Sequence, residues 1–251
     1  MRAARNPGRL AVMRDTDADW RSLAEAEPHF GVISNDRFLA SNLTPQAIED
    51  FFAGGREDVD FLVGELRRRW PDFAPRTATD FGCGVGRVSL AMLEYAPHVT
   101  GVDIAPAMLR VAADRAAKVG ARLTLSSEIP PSADWIASVI VFQHIPPARG
   151  LPILERLLAT LPAGGFASLH FTLHRAAAQV PELDARWVRC DGERLEVLQA
   201  LPDGVGEMRM FDYDAGAILA RFFDAGLTDP VVIQSDHGGH IGAWFLGRRH
   251  A

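Results

Sequence analysis

Asp80-Phe81-Gly82-Cys83-Gly84-Val85-Gly86-Arg87 is the stretch from which the rest of this 251-residue chain can be read. Three glycines alternate with single residues. Ahead of them Thr77–Phe81 reads as a short buried strand, and Gly86–Tyr95 behind them reads as a helix. Glycine tolerates positive φ and lets backbone N–H groups approach a ligand closely. A strand–glycine loop–helix unit puts those N–H groups at the carboxyl end of a strand, where open α/β sheets bind ligands. The structural alternative is a tight turn with no ligand. A dinucleotide fingerprint would need a third glycine where this chain has Arg87.

Outward from the loop, short apolar runs alternate with helical stretches. His98–Asp103, Arg122–Ser126, Trp135–Phe142 and Phe166–Leu173 read as strands. Pro106–Val119 and Pro152–Leu161 read as helices. The pattern predicts a doubly wound, mostly parallel sheet with right-handed crossovers. A helix at Ala215–Ala225 and strands near Pro230–Gln234 and Ile241–Gly247 complete it. The last two strands flank Gly238-Gly239, which predicts a terminal antiparallel hairpin. The expected fold class is α/β, with seven strands and an N-terminal helical cap.

The expected organisation is a mobile leader at residues 1–14, a helical cap at 15–76 and the main domain at 77–251. The leader holds four arginines and no apolar core. Within the cap, Thr44-Pro45 reads as an N-cap followed by proline at N1. Gly54-Gly55 is expected to split the following segment into two helices. Residues 174–210 interrupt the alternation and are expected to cover the substrate, with a helix at Glu193–Leu201.

Composition narrows the function. The net charge of −6 argues against a nucleic-acid partner. No apolar run reaches the roughly 18 residues of a membrane span. Two cysteines, Cys83 and Cys190, build no disulfide framework, so a cytoplasmic location is expected. No cysteine or histidine spacing suggests a metal.

The second informative stretch is Val99-Thr100-Gly101-Val102-Asp103-Ile104, with its acid 17 positions after Gly86. A carboxylate there can accept two hydrogen bonds from vicinal hydroxyls; the alternative is a helix cap. With Ala105-Pro106-Ala107-Met108-Leu109, Gln143-His144-Ile145-Pro146 and Leu161-Pro162-Ala163-Gly164-Gly165, the set resembles the class I S-adenosylmethionine-dependent methyltransferases, small-molecule type. The resemblance covers residues 77–173.

That resemblance implies S-adenosylmethionine as cofactor, S-adenosylhomocysteine as product and no metal. It implies cofactor contacts from Asp80, Gly82, Cys83, Gly84, Gly86 and Phe142, with Asp103 on the ribose. Ile104 and Met108 would sandwich the adenine, although Met108 also suits a helix core. Ser127 and Glu128 would contact the ring from the third loop, or form an ordinary surface loop. His144 is the candidate base or substrate-orienting group, the alternative being a histidine that props its loop. Gln143 would orient the sulfonium end or the substrate. His170, His174, His237 and His240 fall near the same sheet edge without an assigned role.

The implied partner is a small-molecule methyl acceptor. Phe30, Phe38, Phe51, Phe52 and Trp187 would line its apolar pocket or pack as core. Arg37, Arg186 and Arg189 would meet a carboxylate. Gln143-His144-Ile145-Pro146-Pro147 stands where nucleic-acid methyltransferases carry an Asn/Asp-Pro-Pro-aromatic motif, which disfavours a nucleic-acid substrate.

Overall fold

The computed structural model describes residues 15–175, 188–190, 194–199 and 208–250. The expected leader, Pro181, Arg186, Trp187 and Pro202 lie outside the described residues, as does the side chain of Arg189. Before the sheet come α1 (Thr16–Ala26), α2 (Pro28–Val32) and α3 (Pro45–Arg69). There follow β1 (Thr77–Phe81), α4 (Arg87–Met92), β2 (His98–Val102), α5 (Pro106–Lys118) and β3 (Thr124–Ser126). The second half holds β4 (Trp135–Ser138), a 3-10 turn at Phe142–His144, α6 (Pro147–Ala159) and β5 (Phe166–Arg175). Then come β6 (Val188–Cys190), β7 (Arg194–Gln199), β8 (Met208–Phe211), α7 (Ala215–Asp224), β9 (Val231–Asp236) and β10 (His240–Arg248).

Seven strands form one sheet in the order β3-β2-β1-β4-β5-β10-β9. The first five run parallel. β10 is antiparallel to both β5 and β9. The turn between β9 and β10 carries Gly238 and Gly239 at φ 74° and 88°, the conformation that short hairpins demand. After β3 the chain crosses to the other side of β1, so β1 and β4 flank the point where the strand order reverses. A crevice opens there at the carboxyl ends.

Side chains alternate across a strand, and both faces of this sheet are covered. Trp135 and Ala137 of β4 bury on one face with Val59, Leu62 and Leu66 of α3 and Trp244 of β10. Ile136, between them, buries on the other face with Leu154 and Leu157 of α6, Phe222 of α7 and Phe245 of β10. α3 is thus one of the layers that hold the sheet.

Four local expectations are corrected. Gly54-Gly55 does not split α3, which runs unbroken for 25 residues from its Thr44 cap, where Oγ1 accepts the Ala47 N–H at 3.1 Å. Gly55 instead lets α4 approach: a Cβ there would sit 2.5 Å from the Arg87 carbonyl oxygen. α6 begins at Pro147, and Pro152 lies inside it. The start signal is Pro146-Pro147, with a proline at N1. The expected helix at Glu193–Leu201 is replaced by β7, the centre of a small antiparallel sheet ordered β6-β7-β8. Arg194-Leu195-Glu196-Val197 alternates with period two, and flanking strands supply the backbone partners.

Finally, β4 ends at Ser138 rather than running to Phe142. Ile140 takes φ 57°, a left-handed value that a β-branched residue rarely adopts. The Ser138 hydroxyl donates to the Phe81 carbonyl at 3.0 Å, and a Cβ on Gly82 would collide with the methyls of Val141. The bend folds the segment after β4 against the glycine loop.

Gly55→Ala tests the α3–α4 approach. Alanine gains roughly 1 kcal/mol in a helix interior, but a backbone clash of this kind costs about 1–3 kcal/mol. The expected outcome is a melting midpoint lowered by a few degrees in thermal denaturation.

Candidate active site

A cavity of about 570 Å³ opens at the carboxyl ends of β1 to β4. That volume falls in the usual small-molecule range of ~300–1,000 Å³. Its floor is Phe81, Gly82, Gly84, Val102 and Asp103, with Val139, Ile140 and Val141 from the bend after β4. Ile104, Met108, Ser127, Glu128 and Ile129 form one wall. Asp17 and Trp20 of α1, Gly31 and Val32 of α2, and His144, Ile145, Arg149, Ile153 and Arg156 complete the lining.

The glycines serve different ends. Gly82, Gly84 and Gly86 all have positive φ, at 75°, 51° and 83°. Gly82 and Gly84 line the cavity. At Gly84 a Cβ would meet Val32 of α2 at 2.7 Å, so the loop is also pressed against the cap. Gly86 is the N-cap of α4, and a Cβ there would sit 3.1 Å from Ala112 of α5.

Asp103 joins two turns. One carboxylate oxygen accepts the Gly84 N–H at 2.9 Å and the other accepts the Ala105 N–H at 2.8 Å. Burial pushes its carboxyl above the usual range, while the Ala105, Gly84 and Ile104 amides pull it back. Each oxygen keeps a second lone pair for another donor.

The other titratable groups lie deeper. Asp80 is fully buried, accepts from the Ser89 hydroxyl at 2.5 Å and does not reach the cavity. Burial raises its carboxyl to about 6, and Ser89 and Arg87 oppose that rise. The Cys83 thiol is buried beside the loop, and burial holds it well above the usual thiol range. Phe142 is buried in a stack with Phe171, ring centroids 4.4 Å apart.

His144 lines the cavity with Trp20 edge-on at 4.8 Å. Its Nδ1 meets the Arg209 carbonyl at 3.0 Å and its Nε2 meets Gln143 Nε2 at 3.0 Å. Gln143 itself is buried and absent from the lining. Its Oε1 accepts from the Thr172 hydroxyl at 2.6 Å and lies 3.3 Å from His237 Nε2. His237 packs on His170 and on His240, at 5.2 Å and 5.4 Å between centroids. His170 reaches Ser235 Oγ at 2.8 Å, and burial, then His237, lowers its imidazole to about 3.

Residues 78–165 match the family model described as a methyltransferase domain. Over that segment the chain is similar to methyltransferases. It is 32% identical over 139 residues to the ribosomal protein L11 methyltransferase of Serratia proteamaculans, covering 49% of this chain and 47% of the relative. It is 33% identical over 94 residues to a ubiquinone biosynthesis O-methyltransferase of Idiomarina loihiensis, covering 34% and 38%. The matches therefore span less than half of these curated relatives. The magnesium protoporphyrin IX methyltransferase of Synechocystis PCC 6803, crystallised with bound SAH, is similar in fold. It aligns over 94% of this chain and 100% of its own, with TM-score 0.65 at 17% identity.

Eight of the expected contacts line this cavity: Gly82, Gly84, Asp103, Ile104, Met108, Ser127, Glu128 and His144. Asp80, Cys83, Gly86, Phe142 and Gln143 stand behind them. Sequence reasoning missed Asp17, Trp20, Val32, Arg149, Ile153 and Arg156. The α6 members lie at i, i+4 and i+7, a helical face that a helix start at Pro152 hides. The expected aromatic lining is not what the cavity uses: Phe30, Phe38 and Phe51 are buried core. Arg37 is paired with Asp50 at 2.6 Å. Among the described residues, no group of three or more His, Cys, Asp or Glu is placed to hold a metal ion. No helix among them is long and apolar enough to cross a membrane.

Asp80 gives a testable pH dependence. A carboxyl whose folded-state value lies above its unfolded one holds its proton more tightly when folded. Stability is therefore lost as the pH rises from about 4 through 6, by roughly 3 kcal/mol from this group. In chemical denaturation across that window, Asp80→Asn is expected to lose this slope relative to the parent chain.

Proposed function

We propose that this chain transfers a methyl group from S-adenosylmethionine to a small-molecule acceptor. The observation that carries the reading is the convergence on one cavity of the bare Gly82–Gly84 backbone and the Asp103 carboxylate. The residues present fit that cofactor. Gly82 and Gly84 leave room for its amino-acid part, and Asp103 offers two acceptor oxygens to vicinal ribose hydroxyls. Ile104, an apolar side chain 39% exposed, and buried Met108 give adenine an apolar slot. Ser127 and Glu128 stand at its edge. When bound, the cofactor supplies a methyl carbon on a cationic sulfur, open to in-line displacement by a nucleophile.

The chain's own part is alignment and exclusion of water. Trp20, Val32, Ile145 and Ile153 close the cavity with apolar surface, and positioning of this kind is worth several kcal/mol. Both ring nitrogens of His144 are engaged by the protein, which favours the orienting role for this residue over that of general base.

The likeness to a ribosomal protein methyltransferase supports a second reading, in which the acceptor is a protein. Labelled-methyl transfer assays separate the two. Label appearing in a metabolite extract supports the first reading, and label confined to protein supports the second.

Asp103→Ala is expected to weaken S-adenosylhomocysteine binding at least about tenfold by calorimetry, through loss of a charged acceptor worth ~1.5–3 kcal/mol. Unchanged affinity removes Asp103 from the ribose role. His144→Ala is expected to slow turnover more than it weakens cofactor affinity. Equal kinetics reduce it to a prop for its loop.

A further inference from the structure

Three side chains behind the cavity wall form a directional chain ending on His144. The Arg209 carbonyl, 3.0 Å from His144 Nδ1, can only accept a hydrogen bond, so Nδ1 carries a proton. On the other side, Gln143 Oε1 receives the Thr172 hydroxyl at 2.6 Å and faces His237 Nε2 at 3.3 Å. With the carbonyl end of the amide turned to those two donors, the NH₂ end faces His144 Nε2 at 3.0 Å. An amide N–H donates, so Nε2 must present its lone pair. A doubly protonated ring would set two donors against each other.

We infer that Gln143 is a positioning residue that holds His144 neutral and protonated at Nδ1, and that Thr172 and His237 fix which way its amide lies. The inference builds on the proposed reading of the cavity. A wall that faces a sulfonium gains by being uncharged, since a cation there would repel the cofactor. β5 and the β9–β10 turn thereby act on the cavity without touching it, through Thr172 and His237. Other charged groups near His144 sit on the packed elements. Asp17, Asp103, Glu128, Arg149 and Arg156 line the same cavity, and Asp17 pairs with Arg149 at 2.6 Å. Asp19 lies on α1, and Arg209, whose carbonyl holds the ring, lies on β8.

The test is nitrogen-15 NMR of the histidine rings in the full chain without cofactor, with His144→Asn assigning the signal. It reads the ring's proton positions directly, so it stands apart from whether the chain turns over. At pH 7 His144 is expected as the neutral Nδ1–H tautomer. In Gln143→Glu the carboxylate takes the place of the amide donor, and both ring nitrogens are expected to be protonated at the same pH. Thr172→Val removes one of the two donors that fix the amide; with the amide free to turn its oxygen to Nε2 while Arg209 still holds Nδ1–H, the His144 signal is expected to shift toward the doubly protonated ring at the same pH. An Nε2–H tautomer in the parent chain overturns the inference. So does a His144 signal unchanged in Thr172→Val, which carries the test alone if Gln143→Glu does not fold.

Discussion

The Asp103 carboxylate, gripped between the Gly84 and Ala105 amides, is the contact on which the cavity depends. It ties the glycine loop after β1 to the end of β2 and the first turn of α5. Burying a carboxylate carries a desolvation penalty, and two charge-assisted hydrogen bonds to backbone N–H groups offset it. The same two bonds orient the oxygens, so their remaining lone pairs project from a fixed point. A loop free to move would spread those acceptors over many directions and lose the ordering that makes them useful to a ligand.

The rest of the fold serves to keep that point in place. β1 lies between β2 and β4, and both faces of the sheet are packed by helices. The roof comes from α1 and α2, which lie outside the family-matched segment at 78–165. Asp17 of α1 pairs with Arg149 of α6, and the Arg149 side chain also reaches Thr16. Floor and roof therefore come from different parts of the sequence and meet through an ion pair about a third open to solvent, its side chains 39% and 27% exposed. Contacts of that kind are worth little individually, roughly 0–1 kcal/mol. The roof buries Leu23, Ala24 and Phe30.

Local signals were legible where one rule acted alone. The glycine loop, the Thr44 cap, the Gly238-Gly239 turn and the strands β1 and β2 follow from torsion, capping and short apolar runs. They went astray where tertiary contact competed. Gly54-Gly55 carries the chemistry of a break, yet Gly55 is spent on close helix packing against Arg87. Arg194–Gln199 is ambiguous between helix and strand by composition, and two neighbouring strands decide it. Within the site, the residues near the glycine motif were found because backbone spacing dictates them. Trp20, Arg149 and Arg156 were not, because nothing local says that α1 folds back over the sheet or that α6 starts at Pro147. Gln143 is the instructive case. Its place next to His144 suggested contact with substrate, whereas the 3-10 turn sends its amide inward to Thr172.

Ile140 sets two demands against each other. Its left-handed torsion stores roughly 1–2 kcal/mol that glycine would release, yet the same side chain is part of the chamber wall. Any drift toward a relaxed bend hollows the chamber, and any drift that keeps the chamber keeps the strain. Molecular shape and conformational ease are thus traded at a single residue, which makes position 140 a natural point for related chains to diverge in what they admit.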